Sequence, residues 1–347
     1  MQGIEEAVGQ PVDQGEVMKL QPGVRRKLLA ILKLLSQQTE PMGASKLARQ
    51  LEQQGVVLSE RAVRYYLKLA DDLGYTQLDG RSGRVLTPPG EEELQKSSVA
   101  DKVGFMLARV QSLSYQSDFD PQKGEGRVIL NVSYIPEAKF SKAIKLMAPV
   151  FRAKFCMSSK IAVARAGEIL GRNPVPEKYV GIGTVCSVAT SAIMLKEGIP
   201  VDPLYGGLLE IEQRVPSRFV ELISYAGCSL DPLEVFIRSR MTSTRSASRT
   251  GNGIVGASFR EAPAAAYEKL LSLTTQLERI GIRGMAMIGQ PSQPVLEVPV
   301  ALDRIGFVVY AGLNPVAALE EAHIETKCAA LSTLYEWGDL IDFFELL

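Results

Sequence analysis

Arg61, Arg64 and Lys68 recur three and four residues apart in the stretch SERAVRYYLKLADDLG, with Tyr65 among them. At that spacing they share one side of a helix. They offer positive charge and hydrogen-bond donors suited to phosphate oxygens and the acceptor edges of bases. A second donor set lies in RSRMTSTRSASRTGNG, where Arg238, Arg240, Arg245 and Arg249 sit among small hydroxyl residues and glycines. Guanidinium forks beside hydroxyls suit a dicarboxylate or a phosphate, and such a stretch serves equally as a solvated linker. Two further stretches offer backbone donors. GIGTVCSVATS, at a strand-to-helix junction, would present the free N–H groups that attract anions; DPLYGG reads as a tight turn that a ligand can approach. The candidate effector contacts are therefore Gly181, Thr184, Cys186, Ser187, Gly206, Gly207, Arg238 and Arg240.

Other chemistries are poorly provided for. The chain of 347 residues has one histidine, His323, which removes most acid–base, zinc and serine-triad arrangements. Its four cysteines form no C-x-x-C pair and read as reduced, small apolar residues of a cytoplasmic protein. The GIGTVCSVATS stretch is not a G-x-G-x-x-G motif and its strand order is not of Rossmann type, so nucleotide binding is not expected there; Asp202, Asp231 and Glu234 read as caps at turns rather than as acids or bases. The expectation is no catalytic residue, no metal and no cofactor. No apolar run reaches membrane-spanning length, so no membrane partner is expected.

The elements that must position these residues fall into two kinds. Between residues 24 and 90 three amphipathic helices are expected, over 24–37, 44–54 and 59–74, followed by two short strands around the turn 79–83. Ser59 is a favourable N-cap, Gly74 suits the position after the third helix, and Val63, Tyr66, Leu67, Ala70 and Leu73 make its buried stripe. Three helices and a hairpin form a winged helix-turn-helix, whose third helix enters the major groove. The expected contacts to double-stranded DNA are Ser59, Arg61, Arg64, Tyr65 and Lys68, with Arg81 and Arg84 at the hairpin tip. Net charge over the chain is zero, yet residues 24–84 hold eleven Lys/Arg against six Asp/Glu, a local basic excess.

Residues 1–23 read as a disordered lead-in and 91–126 as a linker with a helix near 99–113. From Arg127 the pattern becomes β-α-β-β-α-β over 127–213, and the same order recurs over 253–347. Gly181 and Gly306 lie 125 residues apart, as do Ile199 and Ile324, and VSYIP aligns with ASFREAP at a similar offset. The expected fold class is α+β: a winged helix-turn-helix followed by a duplicated ferredoxin-like regulatory domain. Residues 214–252 connect its two halves, and the cleft between them is a favoured ligand site.

GTVCSVATSAIMLKEGIPVDPLYGGLLEI, RFVELISYAGCSLDPLEVFI and GFVVYAGLNPVAALEEAHIE together resemble the NrpR family of nitrogen-regulation repressors, over the chain from Val24 onward. The resemblance implies a homodimeric transcriptional repressor that is released from an inverted-repeat operator by 2-oxoglutarate. It does not say which residues touch the effector. Two other readings remain open: an enzyme with a fused DNA-binding domain, and a repressor that acts through protein partners.

Overall fold

Ser59 accepts a hydrogen bond from the Ala62 amide (3.2 Å) and so starts α3 (Glu60–Asp72), the last of three helices that close on one apolar core. The other two are α1 (Pro22–Ser36) and α2 (Ala44–Gln53). Gly74 takes a left-handed conformation (φ 72°) just past the end of α3, where a side chain would be strained. Val63, Tyr66, Leu67 and Ala70 form the buried stripe and pack with Ile31, Leu35, Met42, Leu47 and Leu51. The structure, a computed structural model, describes residues 22–36, 41–53, 56–80, 83–96, 105–171 and 173–347. Residues 1–21 of the expected lead-in (1–23), Arg81, and residues 99–104 of the expected linking helix lie outside the described residues, and Pro22 and Gly23 belong to α1 rather than to a lead-in.

Two strands follow, β1 (Thr76–Asp79) and β2 (Gly83–Leu86), paired antiparallel from Thr76–Leu86 to Asp79–Gly83. Met42 adds a third, one-residue strand: its N–H and C=O pair with Arg84 at 3.1 and 3.0 Å. Gly83 permits this approach, since a Cβ there would lie 2.3 Å from the Met42 carbonyl carbon. The unit does not end at residue 90 as expected. Pro88 opens α4 (Pro88–Lys96), which returns to α1 through Arg25 and Glu93 (3.6 Å). The chain divides into two compact units, Met1–Lys102 and Val103–Leu347.

The second unit opens with α5 (Phe105–Gln116). Then come β3 (Arg127–Pro136), α6 (Phe140–Ala153), β4 (Lys160–Ala164), the small ribbon β5 (Ile169–Leu170) and β6 (Asn173–Pro174), β7 (Tyr179–Val185), α7 (Val188–Lys196) and β8 (Asp202–Glu212). The span expected to be a connection folds into β9 (Val215–Ser224), α8 (Pro232–Arg238) and α9 (Thr244–Thr250). The order then repeats as β10 (Gly253–Pro263), α10 (Tyr267–Arg279), β11 (Met285–Ile288), β12 (Arg304–Tyr310), α11 (Asn314–Glu321) and β13 (Lys327–Glu336), with β14 (Ile341–Asp342) at the end. In both halves a proline ends the first strand and a 3-10 turn leads into the helix, at Glu137–Lys139 and at Ala264–Ala266.

The duplication is present, but the halves are not separable. One sheet runs β13-β3-β7-β4-β14 and the other β11-β12-β10-β8-β9. Each core order is that of a ferredoxin-like sheet, fourth-first-third-second strand, yet the fourth strands are exchanged. β13, made by the second half, pairs with β3; β8, made by the first half, pairs with β10. The expected halves, 127–213 and 253–347, are therefore interleaved by one strand each. A single core cluster joins Val128, Leu130 and Val132 of β3 with Ile305, Phe307 and Val309 of β12.

Asn314 fastens this exchange. It is fully buried; its Oδ1 accepts from the Gly256 amide (2.8 Å), and its Nδ2 donates to the Gly256 carbonyl (2.9 Å) and the Phe155 carbonyl (2.8 Å). The side chain thus joins α11 and β10 to the segment after α6. Replacing Asn314 by Ala strands the Gly256 amide and the Phe155 carbonyl, while the Gly256 carbonyl keeps the Ala311 amide (2.9 Å), and should lower stability by about 2 kcal/mol or more in urea unfolding; Asp, lacking the donors, should not restore it. Full stability in both variants would refute this role.

Candidate functional site

On the first unit, Arg61, Tyr65 and Lys68 are exposed on the face of α3 opposite its buried stripe, and the Tyr65 ring stacks edge-on against Tyr66 at 5.4 Å. Arg64 shares the face but is ion-paired with Glu60 one turn earlier; Glu60 also accepts from the Ser45 hydroxyl at 2.5 Å. Those hydrogen bonds, Ser45 first and then Arg64, hold the Glu60 carboxyl below its usual range. Arg61 and Lys68 therefore carry the charge of α3 with no carboxylate partner among the described residues. Ser59 is exposed but is engaged as the N-cap.

Arg84 is corrected in place. It lies on β2, opposite Leu78, rather than at the hairpin tip. Its Nε donates to both Asp71 oxygens (2.8 and 3.1 Å), and Thr76 Oγ1 donates to the same carboxylate (2.6 Å). The guanidinium braces the hairpin against the end of α3, fixing the angle between the two elements. Arg81 lies outside the described residues.

In the second unit the candidate effector contacts separate. Gly181 is not at a helix start but inside β7, where a Cβ would meet Leu170 and Val175 at 2.9 Å. Gly206 and Gly207 lie not in a turn but within β8. A Cβ on Gly207 would sit 2.5 Å from the Glu221 carbonyl of β9, so these glycines serve sheet packing. Arg238 is exposed and ion-paired with Glu234 (2.8 Å), and Arg240 is exposed on the turn after α8. The arginine-rich stretch is folded, and its amides are already answered. Glu321 accepts from the Thr244 and Arg245 amides (2.6 and 3.0 Å) and from the Thr242 hydroxyl (2.7 Å).

Thr184, Cys186 and Ser187 do come together, all buried at the junction where β7 turns into α7. Ser187 stands at the N-cap position without a side-chain cap bond, and the Ala189 and Thr190 amides are answered instead by the Cys186 and Ser187 carbonyls (3.0 and 3.2 Å). The Thr184 and Thr190 hydroxyls are buried with no partner.

The residue that sequence reasoning missed is Arg260, in the middle of β10 and only 2% exposed. Its Nη1 donates to Ser191 Oγ in α7 (2.5 Å), and its Nε to Ser258 Oγ (3.2 Å). No carboxylate among the described residues reaches ion-pair distance of it; its neighbour Glu261 pairs with Arg304 instead. A buried charge without a counter-charge costs roughly 3–5 kcal/mol, the loss seen when a buried pair is broken. A signal for it was legible: an arginine follows the GIVGASF run directly, inside the same strand.

Tyr225, Cys186 and Asp231 lie within electrostatic range of Arg260. Burial pushes the Cys186 thiol up to about 11 and Tyr225 well above its usual value, so both are neutral. Asp231 caps α8 by accepting from the Leu233 and Glu234 amides (2.8 and 3.4 Å). Part of the residue reaches the surface, but protein surrounds its carboxyl. Burial, opposed by those amide bonds, pushes it up to about 6.

Residues 103–342 match the model of the NrpR regulatory domains NRD1 and 2, and residues 29–94 that of the ribonuclease R winged-helix domain. The chain is 33% identical over 318 residues to "Global nitrogen regulator NrpRI" of Methanosarcina mazei, covering 92% of this chain and 98% of that one. It is 30% identical over 309 residues to "Global nitrogen regulator NrpR" of Methanocaldococcus jannaschii; the match covers 89% of this chain and spans only 53% of that longer protein. A solved structure, that of a nitrogen repressor-like protein from Methanococcus jannaschii, is similar with a TM-score of 0.59 and 25% identity, over 70% of this chain and 98% of that one.

The Asp231 carboxyl gives a pH signature. Its ordinary value is 3.8 and its folded value about 6, so between these the folded state holds a proton that the unfolded state has lost. Stability contributed at this site therefore falls as pH rises through that window, by at most about 3 kcal/mol, and the loss is complete above it. Asn in place of Asp231 keeps a capping oxygen and removes the charge. Its melting temperature should meet that of the wild type near pH 4 and exceed it at pH 7; a gap that does not change with pH would contradict the assignment.

Proposed function

Since the chain belongs to the NrpR family, we propose that it is a transcriptional repressor that binds operator DNA through its winged helix and is released by 2-oxoglutarate, controlling nitrogen-assimilation genes. The observation that carries this reading is the cationic face of α3, exposed in Arg61, Lys68 and Tyr65 and set beside a hairpin fixed by Arg84 and Asp71. Guanidinium and ammonium groups on a third helix followed by a wing suit the major groove and its flanking phosphates. The relatives named as nitrogen regulators support the regulon. We take the working form as a homodimer, whose two recognition helices would read half-sites of an inverted repeat about one helical turn, roughly 34 Å, apart.

Release requires that 2-oxoglutarate bind the DNA-free arrangement more tightly than the DNA-bound one; equal affinity for both would change nothing. The element placed to carry such a bias is α5, the first described element after the winged unit. Its Met106, Val110 and Leu113 share a cluster with Cys186 and Val188 at the β7–α7 junction. A change at that junction alters what α5 packs against.

Replacing Arg61 and Lys68 together by Ala should weaken binding to the protein's own promoter fragment about 10- to 100-fold, and should lower the salt slope of binding by about two. Unchanged affinity and slope would reject DNA recognition by this face. Millimolar 2-oxoglutarate should raise the apparent Kd of the wild type for that fragment; no change would remove the effector and leave DNA binding in place.

A further inference from the structure

We propose that Arg260 and the N-terminus of α7 form the seat of a carboxylate group, and that this is where a small dicarboxylate binds the regulatory unit. The inference rests on the ligand-responsive reading above and gives that ligand a place. Three independent features meet there. First, Arg260 is buried on β10 with only the hydroxyls of Ser191 and Ser258 as acceptors, so its charge is not neutralised by any ion pair among the described residues. Second, α7, nine residues long, begins there without a side-chain cap; its Ala189 and Thr190 amides are bonded to the Cys186 and Ser187 carbonyls, so what the terminus offers is the positive end of its dipole. Third, the Thr190 hydroxyl in the first turn of α7 is buried and has no partner, as is that of Thr184 at the end of β7.

Each feature alone has a plain structural account; together they supply what a carboxylate needs and the chain does not. A planar guanidinium offers two parallel N–H donors, which fit the two oxygens of a carboxylate, and the buried hydroxyls complete its acceptor positions. Asp231 does not fill the role: its Oδ1 is held by the Leu233 and Glu234 amides of α8, and neither of its oxygens forms an ion pair with Arg260. The site is covered by α5 and by the 3-10 turn Tyr225–Gly227, with the Met106 amide donating to the Cys228 carbonyl (3.4 Å). Entry of a ligand therefore displaces a cover that includes α5. The strand exchange explains why this seat escapes a reading of either half alone: Arg260 belongs to the second half and α7 to the first.

The test is isothermal titration of the full chain with 2-oxoglutarate, glutarate and inorganic phosphate, alongside melting of each ligand-free variant. The wild type should bind both dicarboxylates and bind phosphate far more weakly. Arg260→Gln should weaken both dicarboxylates about thirtyfold or more, as expected when one partner of a buried charged contact is removed. It should melt at or above the wild-type temperature, since no internal ion pair is lost; a merely structural arginine would lower it. Thr190→Val, nearly the same shape, should weaken binding by about three- to tenfold. Should Arg260→Gln fail to fold, Thr190→Val alone decides, and wild-type affinity in it overturns the seat. Dicarboxylate affinity within twofold of wild type in folded Arg260→Gln also overturns it, leaving the ligand-responsive reading intact. A wild type that binds phosphate and neither dicarboxylate overturns the ligand class, and one that binds none of the three overturns the seat and the effector together.

Discussion

The exchange of fourth strands between the two sheets is the constraint on which the regulatory unit depends. A ferredoxin-like sheet needs its fourth strand beside its first, and here each half takes that strand from the other: β13 lies on β3 and β8 on β10. Neither sheet can form from its own half of the chain. The helices that launch the exchanged strands, α7 and α11, are consequently drawn into the middle of the unit, and both are buried along nearly their whole length. Asn314 meets the resulting polar demand at one end of this arrangement, where Gly256 must lack a side chain because the Asn314 amide lies against it.

The same exchange makes the buried polar centre. Arg260 of one half reaches Ser191 of the other, and β9 with the turn after it brings Tyr225 alongside. Low-dielectric surroundings sharpen every interaction there: Cys186 and Tyr225 stay neutral, Asp231 holds its proton up to about pH 6, and Arg260 has no carboxylate at ion-pair distance among the described residues. A site so arranged responds strongly to an added negative group, because the charge it would meet is otherwise unanswered. The packing of α5 over the junction gives such a response a mechanical outlet.

The winged-helix unit follows a different logic. Its energetics are local: a capped third helix, an apolar stripe at helical spacing, and a hairpin pinned by Met42 on one side and by the Arg84–Asp71–Thr76 cluster on the other. The cations that remain outward, Arg61 and Lys68, bear no structural task, which is the condition for their use in recognition. Arg84 illustrates the contrast, since the same chemistry one strand away is spent on holding the fold.

The sequence by itself determined what depends on neighbours along the chain. The Ser59 cap, the Val63–Tyr66–Leu67–Ala70 stripe, the winged-helix order and the repeat of strand and helix were all legible, because helical and strand periodicities and caps act within a few residues. The resemblance to nitrogen repressors was likewise carried by contiguous segments. Tertiary structure decided the rest. Gly206 and Gly207 read as a turn because glycine marks turns and close sheet packing alike, and only the nearness of β9 distinguishes the two. Residues 214–252 read as a connection because β9, at the sheet edge, lacks a clean alternation. The arginines of that stretch drew attention by number, whereas the arginine that matters most to the buried centre stood alone in a strand. Its meaning came from partners 69 residues away in α7, a juxtaposition set by long-range strand pairing and invisible to any local pattern.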